Sequence, residues 1–121
     1  GVGSYLGVHE GPQRISKVSN NVALKPGMII SNEPGYYLTG EYGIRIESLV
    51  VVVENKILST KHKKFYSFET ISQAPLEPGL IDKALLDSKE KQWLKEYHQN
   101  VFKNLKPYLD RKTLAWLRKQ L

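Results

Sequence analysis

Cysteine is absent from the 121 residues, which removes disulfides, thiolate nucleophiles and sulfur-ligated zinc together. That absence fits a reducing compartment, and a cytoplasmic location is the expectation. Long hydrophobic runs are absent too. The longest apolar block is Leu49 to Val53, far short of the about 18 residues a membrane span needs, so no membrane partner is expected. The chain opens Gly1-Val2-Gly3 without an initiator Met or a charged-then-apolar leader. Such an opening reads as the interior of something longer. The length leaves room for one domain. Composition, at 40% hydrophobic and 25% charged, is that of an ordered soluble chain rather than a disordered one.

Acidic charge is the scarcer sign. Residues 1–60 hold five basic and five acidic side chains, whereas residues 61–121 hold thirteen and seven and supply the whole net charge of +6. An excess of this kind invites a nucleic-acid reading. The lysines of the second half, however, alternate with acids and apolar residues at helical spacing, the pattern of a solvated helix face. No RNA-binding aromatic motif or zinc finger accompanies them. Nucleic acid is therefore not expected as a partner.

Periodicity divides the chain as charge does. Residues 1–72 are rich in glycine and β-branched residues. Residues 27–32 and 44–54 read as strands, with Leu49 to Val53 apolar on both faces and hence central in its sheet. The three-glycine stretch 34–43 between them reads as a wide connection. Phe65 to Ile71 reads as a further short strand, preceded by an exposed turn at Lys61-His62-Lys63-Lys64. Residues 73–121 read as a helical extension. Asp87-Ser88-Lys89-Glu90 fits a capping box, and Trp93, Leu94, Tyr97, Val101 and Leu105 then form an amphipathic stripe of core-packing residues. Pro107 ends that helix, and Asp110 caps a shorter one bearing Leu114, Trp116 (partly off the stripe), Leu117 and Leu121 on its apolar side.

Glu33 and Glu47 are the informative pair. In an antiparallel hairpin centred on Gly40, residues whose numbers sum to 80 face one another, which sets Glu33 opposite Glu47. Two carboxylates so opposed repel. If buried, one must take up a proton or both must share a cation. Arg45, two residues before Glu47, lies on the same strand face and brings a single positive charge. Carboxylate oxygens suit a hard divalent ion such as manganese or magnesium. Spacing alone leaves equally open a wet face on which Arg45 is a surface partner.

The residues around this pair carry a resemblance. Asn32-Glu33-Pro34-Gly35-Tyr36-Tyr37, then Gly40, then Gly43-Ile44-Arg45-Ile46-Glu47 closely resembles the signature of the pita-bread metallopeptidases, and within them the Xaa-Pro aminopeptidases (aminopeptidase P). Val8-His9-Glu10-Gly11-Pro12, the opening Gly1 to Leu6 and Leu24-Lys25-Pro26-Gly27-Met28 match segments upstream of that signature. Phe68-Glu69, Ile81-Asp82, Trp93-Leu94 and Tyr97-His98 are similar to the family's C-terminal extension. The fold class so implied is α+β, the C-terminal part of a pita-bread fold, with an antiparallel-rich curved sheet followed by helices.

The resemblance implies roles. Glu33 would be a metal ligand beside the attacking water and its general base, and Glu47 would bridge two divalent ions, manganese for preference. His9 would hydrogen-bond the substrate near the scissile bond, with a structural turn histidine as its alternative. Arg45 would orient a metal-binding carboxylate. His62 and His98 have no motif support and read as structural or exposed. The family's dinuclear site also uses two aspartates and a histidine, none of which this sequence supplies; Asp82, Asp87 and Asp110 match nothing in the motif.

The expected function is accordingly that of the C-terminal part of an Xaa-Pro aminopeptidase catalytic domain, whose parent hydrolyses the bond between an N-terminal residue and a following proline. The isolated chain is expected to hold metal weakly and to lack turnover. The alternative is a non-catalytic complementing or protein-binding module, because a sheet with apolar edges favours self-association or pairing with an N-terminal part.

Overall fold

A constant pairing sum of 80 organises the first half of the chain, and it runs through two sheets. The computed structural model describes residues 1–121. Strand β1 (Ile29–Asn32) pairs antiparallel with β4 (Ser48–Glu54), Ile29 facing Val51 and Asn32 facing Ser48. Strand β2 (Gly35–Leu38) pairs antiparallel with β3 (Tyr42–Arg45), Gly35 facing Arg45 and Leu38 facing Tyr42. The same register thus continues across a gap in both strands at residues 33–34 and 46–47. Strand β5 (Tyr66–Thr70) completes the first sheet in the order β1-β4-β5, while β2 and β3 form a separate two-stranded one.

Stretch 34–43, read from its glycines as a connection, is therefore mostly hairpin, and the single strand expected over 44–54 is two. The tip is a three-residue turn in which Gly40 takes φ +79° and Glu41 N–H donates to Leu38 O at 3.1 Å. A left-handed residue there is what a hairpin of this length requires. The gap suits Pro34, which has no N–H to give to a ladder and forces an extended backbone on Glu33 before it. Its carbonyl accepts from Ile46 N–H at 3.1 Å, so the two hairpins remain tied.

The core of this half lies under β1 and β4. Ile30, Val50 and Val52 are buried, with Leu24 and Met28 packed against them. Strand β4 is central, as its apolar run implies, and its alternate residues Val50 and Val52 face the core. Gln13 is buried as well, and its Nε2 donates to Ile29 O at 3.1 Å. Together with the Val2–Ile29 bridge, this fastens the loop of residues 1–15 to the edge of β1.

Two compact units make up the chain, Gly1–Ser72 and Gln73–Leu121. The second is built on α1 (Ser88–Leu105) and α2 (Arg111–Lys119). Both helices start where side-chain caps dictate. Asp87 accepts from Lys89 and Glu90 N–H while Glu90 reaches back to Asp87 N–H, and Asp110 accepts from Lys112 and Thr113 N–H. Pro107 sits in a short 3-10 turn that follows α1. Tyr97, His98 and Val101 are buried on α1, and Leu117 on α2.

Two aromatic residues depart from the expected packing. Trp93 and Trp116 are 53% and 58% exposed. Trp93 stacks on Tyr97 at 5.4 Å between ring centres, covering it from outside rather than entering the core. His98 is a structural residue. Its Nε2 accepts from Leu76 N–H at 3.2 Å, while Tyr97 OH donates to Ala74 O at 2.6 Å. These two neighbours fasten the segment that leads into the helices.

Ile30 is fully buried, and Ile30→Ala should lower the stability of the first unit by roughly 2–5 kcal/mol. Denaturant-dependent hydrogen exchange at the β4 amides measures this directly, and protection of the α1 amides should be unaffected.

Candidate metal-binding site

Both glutamates occupy the gap between the two hairpins, where neither backbone is committed to a ladder. Arg45 closes β3, and His9 arrives from the N-terminal loop. A β-turn delivers that histidine: Glu10 N–H donates to Gly7 O at 3.4 Å, and the Glu10 carboxylate accepts from Gly7 N–H at 2.5 Å. His9, third in the turn, has φ +69°. A left-handed conformation in a residue other than glycine costs about 1–2 kcal/mol and persists where surrounding contacts hold it.

The contacts of Glu33 account for that hold. Its Oε1 accepts from His9 Nε2 at 2.6 Å and from Ser31 Oγ at 2.8 Å. Arg45 Nε lies 3.8 Å from Glu33 Oε2, and Arg45 Nη2 lies 3.3 Å from Glu47 Oε2. One guanidinium therefore bridges two carboxylates set opposite each other by the register. The Glu33 side chain is 21% exposed and that of Glu47 35%. Glu33 is thus partly buried, while Glu47 as a residue is exposed.

The donors hold the Glu33 carboxyl below its ordinary value, first through the His9 hydrogen bond, then through Ser31, with the charges of His9 and Arg45 adding to them. Partial burial opposes them, by more than either charge contributes, and the net shift remains downward. The Arg45 guanidinium is raised, chiefly by its interaction with the Tyr37 oxygen and then by Glu47 and Glu33. The two carboxylates thus share one cationic partner.

Tyr37 is the residue that motif reasoning passed over. It faces Gly43 in the β2–β3 ladder, and its ring lies flat over the hairpin. A Cβ on Gly43 would stand 2.5 Å from Tyr37 Cδ1, and one on Gly35 would stand 2.8 Å from its hydroxyl. The ring fills the space these side chains would take and brings its oxygen to Arg45. The available signal was a tyrosine whose register partner, and the residue two before it, are both glycine.

A cavity of about 670 Å³ opens beside these groups, with His9, Asn32, Glu33, Pro34 and Arg14 among its walls. His62 is remote in the fold, in the exposed turn before β5. The donor chemistry at the gap suits a hard divalent ion in kind. It falls short in number, since no group of three or more His, Asp or Glu side chains is placed to hold a metal ion. Asp82, Asp87 and Asp110 accept backbone N–H groups around the helices.

Two family models match the chain: metallopeptidase family M24 over residues 1–54, and the C-terminal region of peptidase M24 over residues 64–121. The chain belongs to metallopeptidase family M24. Its M24 relatives include proteins named probable Xaa-Pro aminopeptidase P from Coprinopsis cinerea, 47% identical over 99% of this chain, and from Fusarium vanettenii, 48% identical over 99%. The chain spans about a fifth of each relative's length. A crystal structure of X-prolyl aminopeptidase from Caenorhabditis elegans, described as a cytosolic enzyme with a di-nuclear active site, superposes with a TM-score of 0.83. It is 35% identical, and the match covers 98% of this chain and 20% of that one. The fold is accordingly α+β and of the pita-bread class. No helix is long and apolar enough to cross a membrane.

Two outcomes test this M24 geometry. His9→Ala should move the Glu33 carboxyl upward toward its ordinary value, read by carbon-13 NMR titration. Because a lowered folded-state value contributes stability above the unfolded value of 4.5 that is lost as pH falls through the folded one, the same variant should lose less stability on acidification than the parent. Gly43→Ala should displace the Tyr37 ring and free the Arg45 guanidinium, seen as faster exchange of the Arg45 Nε proton.

Proposed function

We propose that this chain supplies the glutamate half of a dinuclear Xaa-Pro aminopeptidase centre, as the C-terminal part of that enzyme's catalytic domain. The observation that carries the reading is the opposition of Glu33 and Glu47 across the gap between two hairpins, in a chain similar throughout to X-prolyl aminopeptidase. The parent substrate is a peptide with proline at its second position, the metal manganese and the location cytoplasmic. The relatives' names support the substrate, the description of the neighbour as cytosolic supports the location, and manganese rests on the preference of carboxylate oxygens for a hard divalent ion.

In this reading Glu33 and Glu47 would be metal ligands, with Glu47 serving both ions. Arg45 is a positioning residue whose guanidinium lies against both carboxylates, and Tyr37 fixes that guanidinium. Held ionised by His9, Ser31 and Arg45, Glu33 is a weak base and can accept a proton at Oε2 only from an acidified water. Divalent ions, held by these glutamates together with donors from outside this chain, would supply that acidity. The His9 side chain is 69% exposed, free to turn its Nε2–H from Glu33 to the carbonyl oxygen of a bound peptide, where charge develops during attack.

Alone, the chain is inactive. Two carboxylates do not hold two cations against water. The apolar β2–β3 hairpin, with Tyr36, Tyr42 and Ile44 exposed, favours self-association or pairing with an N-terminal part that brings the remaining donors. The same exposure supports the second reading, a complementing or protein-binding module without chemistry of its own.

Calorimetric titration with manganese and an assay on Xaa-Pro peptides decide between these. The expected result is weak manganese binding that Glu33→Gln or Glu47→Gln abolishes, with no turnover by the chain alone. Robust turnover by the chain alone would refute the inactivity, and metal binding indifferent to both substitutions would refute the ligand assignment.

A further inference from the structure

Within the second unit, the segment ahead of α1, one face of α1 and the end of α2 enclose an open cavity of about 520 Å³, a volume typical of ligand sites. Its floor is apolar, with Leu94 and Phe102 from α1. Its walls carry Lys83, Lys91, Lys95 and Arg118, and no aspartate or glutamate lines it. That segregation is not a consequence of composition alone. Residues 73–121 contain ten basic and six acidic side chains; four of the ten border this cavity and none of the six does.

The local chemistry makes the arrangement costly unless something compensates it. Lys91 and Lys95 are four apart on α1, and like charges at that spacing destabilise a helix by about 0.2–0.5 kcal/mol. Their neighbour Glu90 is committed to the capping box and Glu96 accepts from Gln92 Nε2 at 2.6 Å, so neither of these acids neutralises the face. Arg118 is held in place, its guanidinium 5.3 Å from the centre of the Phe102 ring. A cation stacked on the apolar floor presents both charge and a flat surface at one point.

We propose that this cavity is a docking site for an acidic peptide segment carrying apolar side chains, contributed by a partner protein. Apolar side chains of the segment cover Leu94 and Phe102, and its carboxylates meet the lysines and Arg118. Several cations dispersed around the opening match several carboxylates on an extended segment better than the single head of a fatty acid. The site is independent of the glutamate centre and of the activity proposed for it.

Fluorescence polarisation with a short fluorescein-labelled peptide of alternating glutamate and leucine tests the proposal on the whole chain. Saturable binding is expected, and Lys91→Glu with Lys95→Glu should weaken it about tenfold or more. Glutamate is a good helix former, so the circular dichroism of this variant should match the parent. Lys103→Glu with Lys112→Glu, which reverses charges that do not border the cavity, should leave binding within about twofold. Equal binding of an all-glutamate peptide would overturn the proposal by leaving the apolar floor without a role. Absence of binding, or tighter displacement of the probe by dodecanoate than by unlabelled peptide, would overturn it also.

Discussion

Two carboxylates brought to facing positions by a β-register share a single guanidinium, and much of the first unit's detail depends on that contact. Arg45 contacts both, and the rest of the neighbourhood holds Arg45 or Glu33 in place. Tyr37 reaches the guanidinium because two glycines make room for its ring. His9 reaches Glu33 because a strained turn aims it there. Ser31, two residues before Glu33 on the same face, adds a second donor. These are hydrogen bonds at partial exposure, individually modest, yet they converge on one small volume. Convergence of that sort is a property of sites more than of general stability.

Much of this was legible in the sequence, and the reason is arithmetic. A single glycine at the tip of a hairpin determines which residues oppose which, and the pairing of Glu33 with Glu47 follows from counting. The capping box at Asp87, the cap at Asp110 and the stop at Pro107 were legible because each rests on a local rule of backbone hydrogen bonding, and the central position of Leu49 to Val53 because its run is apolar on both faces. Strand β2 was not. Its glycines and proline signal a loop in isolation, whereas here they serve the Tyr37 ring and the gap in the ladder. Local chemistry cannot distinguish a glycine needed for a turn from one needed by a neighbour across a sheet.

The site itself was partly legible. Glu33, Glu47, His9 and Arg45 come together as a cluster, while Tyr37 entered only with coordinates. For His98, read as structural or exposed, the structure bears out the first alternative. It stands among Leu94, Tyr97 and Val101 on one helical face, a position that implies burial, and its ring nitrogen takes a backbone N–H that would otherwise go unpaired. Trp93 follows the apolar stripe in sequence and leaves it in space, and Trp116, already partly off its stripe, is exposed as well, since large aromatic side chains at the margin of a small core cover it instead of filling it.

The gap between the hairpins bears on how the chain tolerates length changes. Side chains alternate between the faces of a strand, so a slip of one position inverts every residue beyond it. Beyond the gap, β2 and β3 form their own sheet with an open glycine tip. Lengthening both arms of that ribbon equally preserves the parity of the residues at its base, however far the tip is carried outward. An odd, one-sided insertion turns one acidic side chain away from the other. Ribbon length is thus free to drift in steps that keep the two arms matched, and is otherwise constrained by residues it never touches.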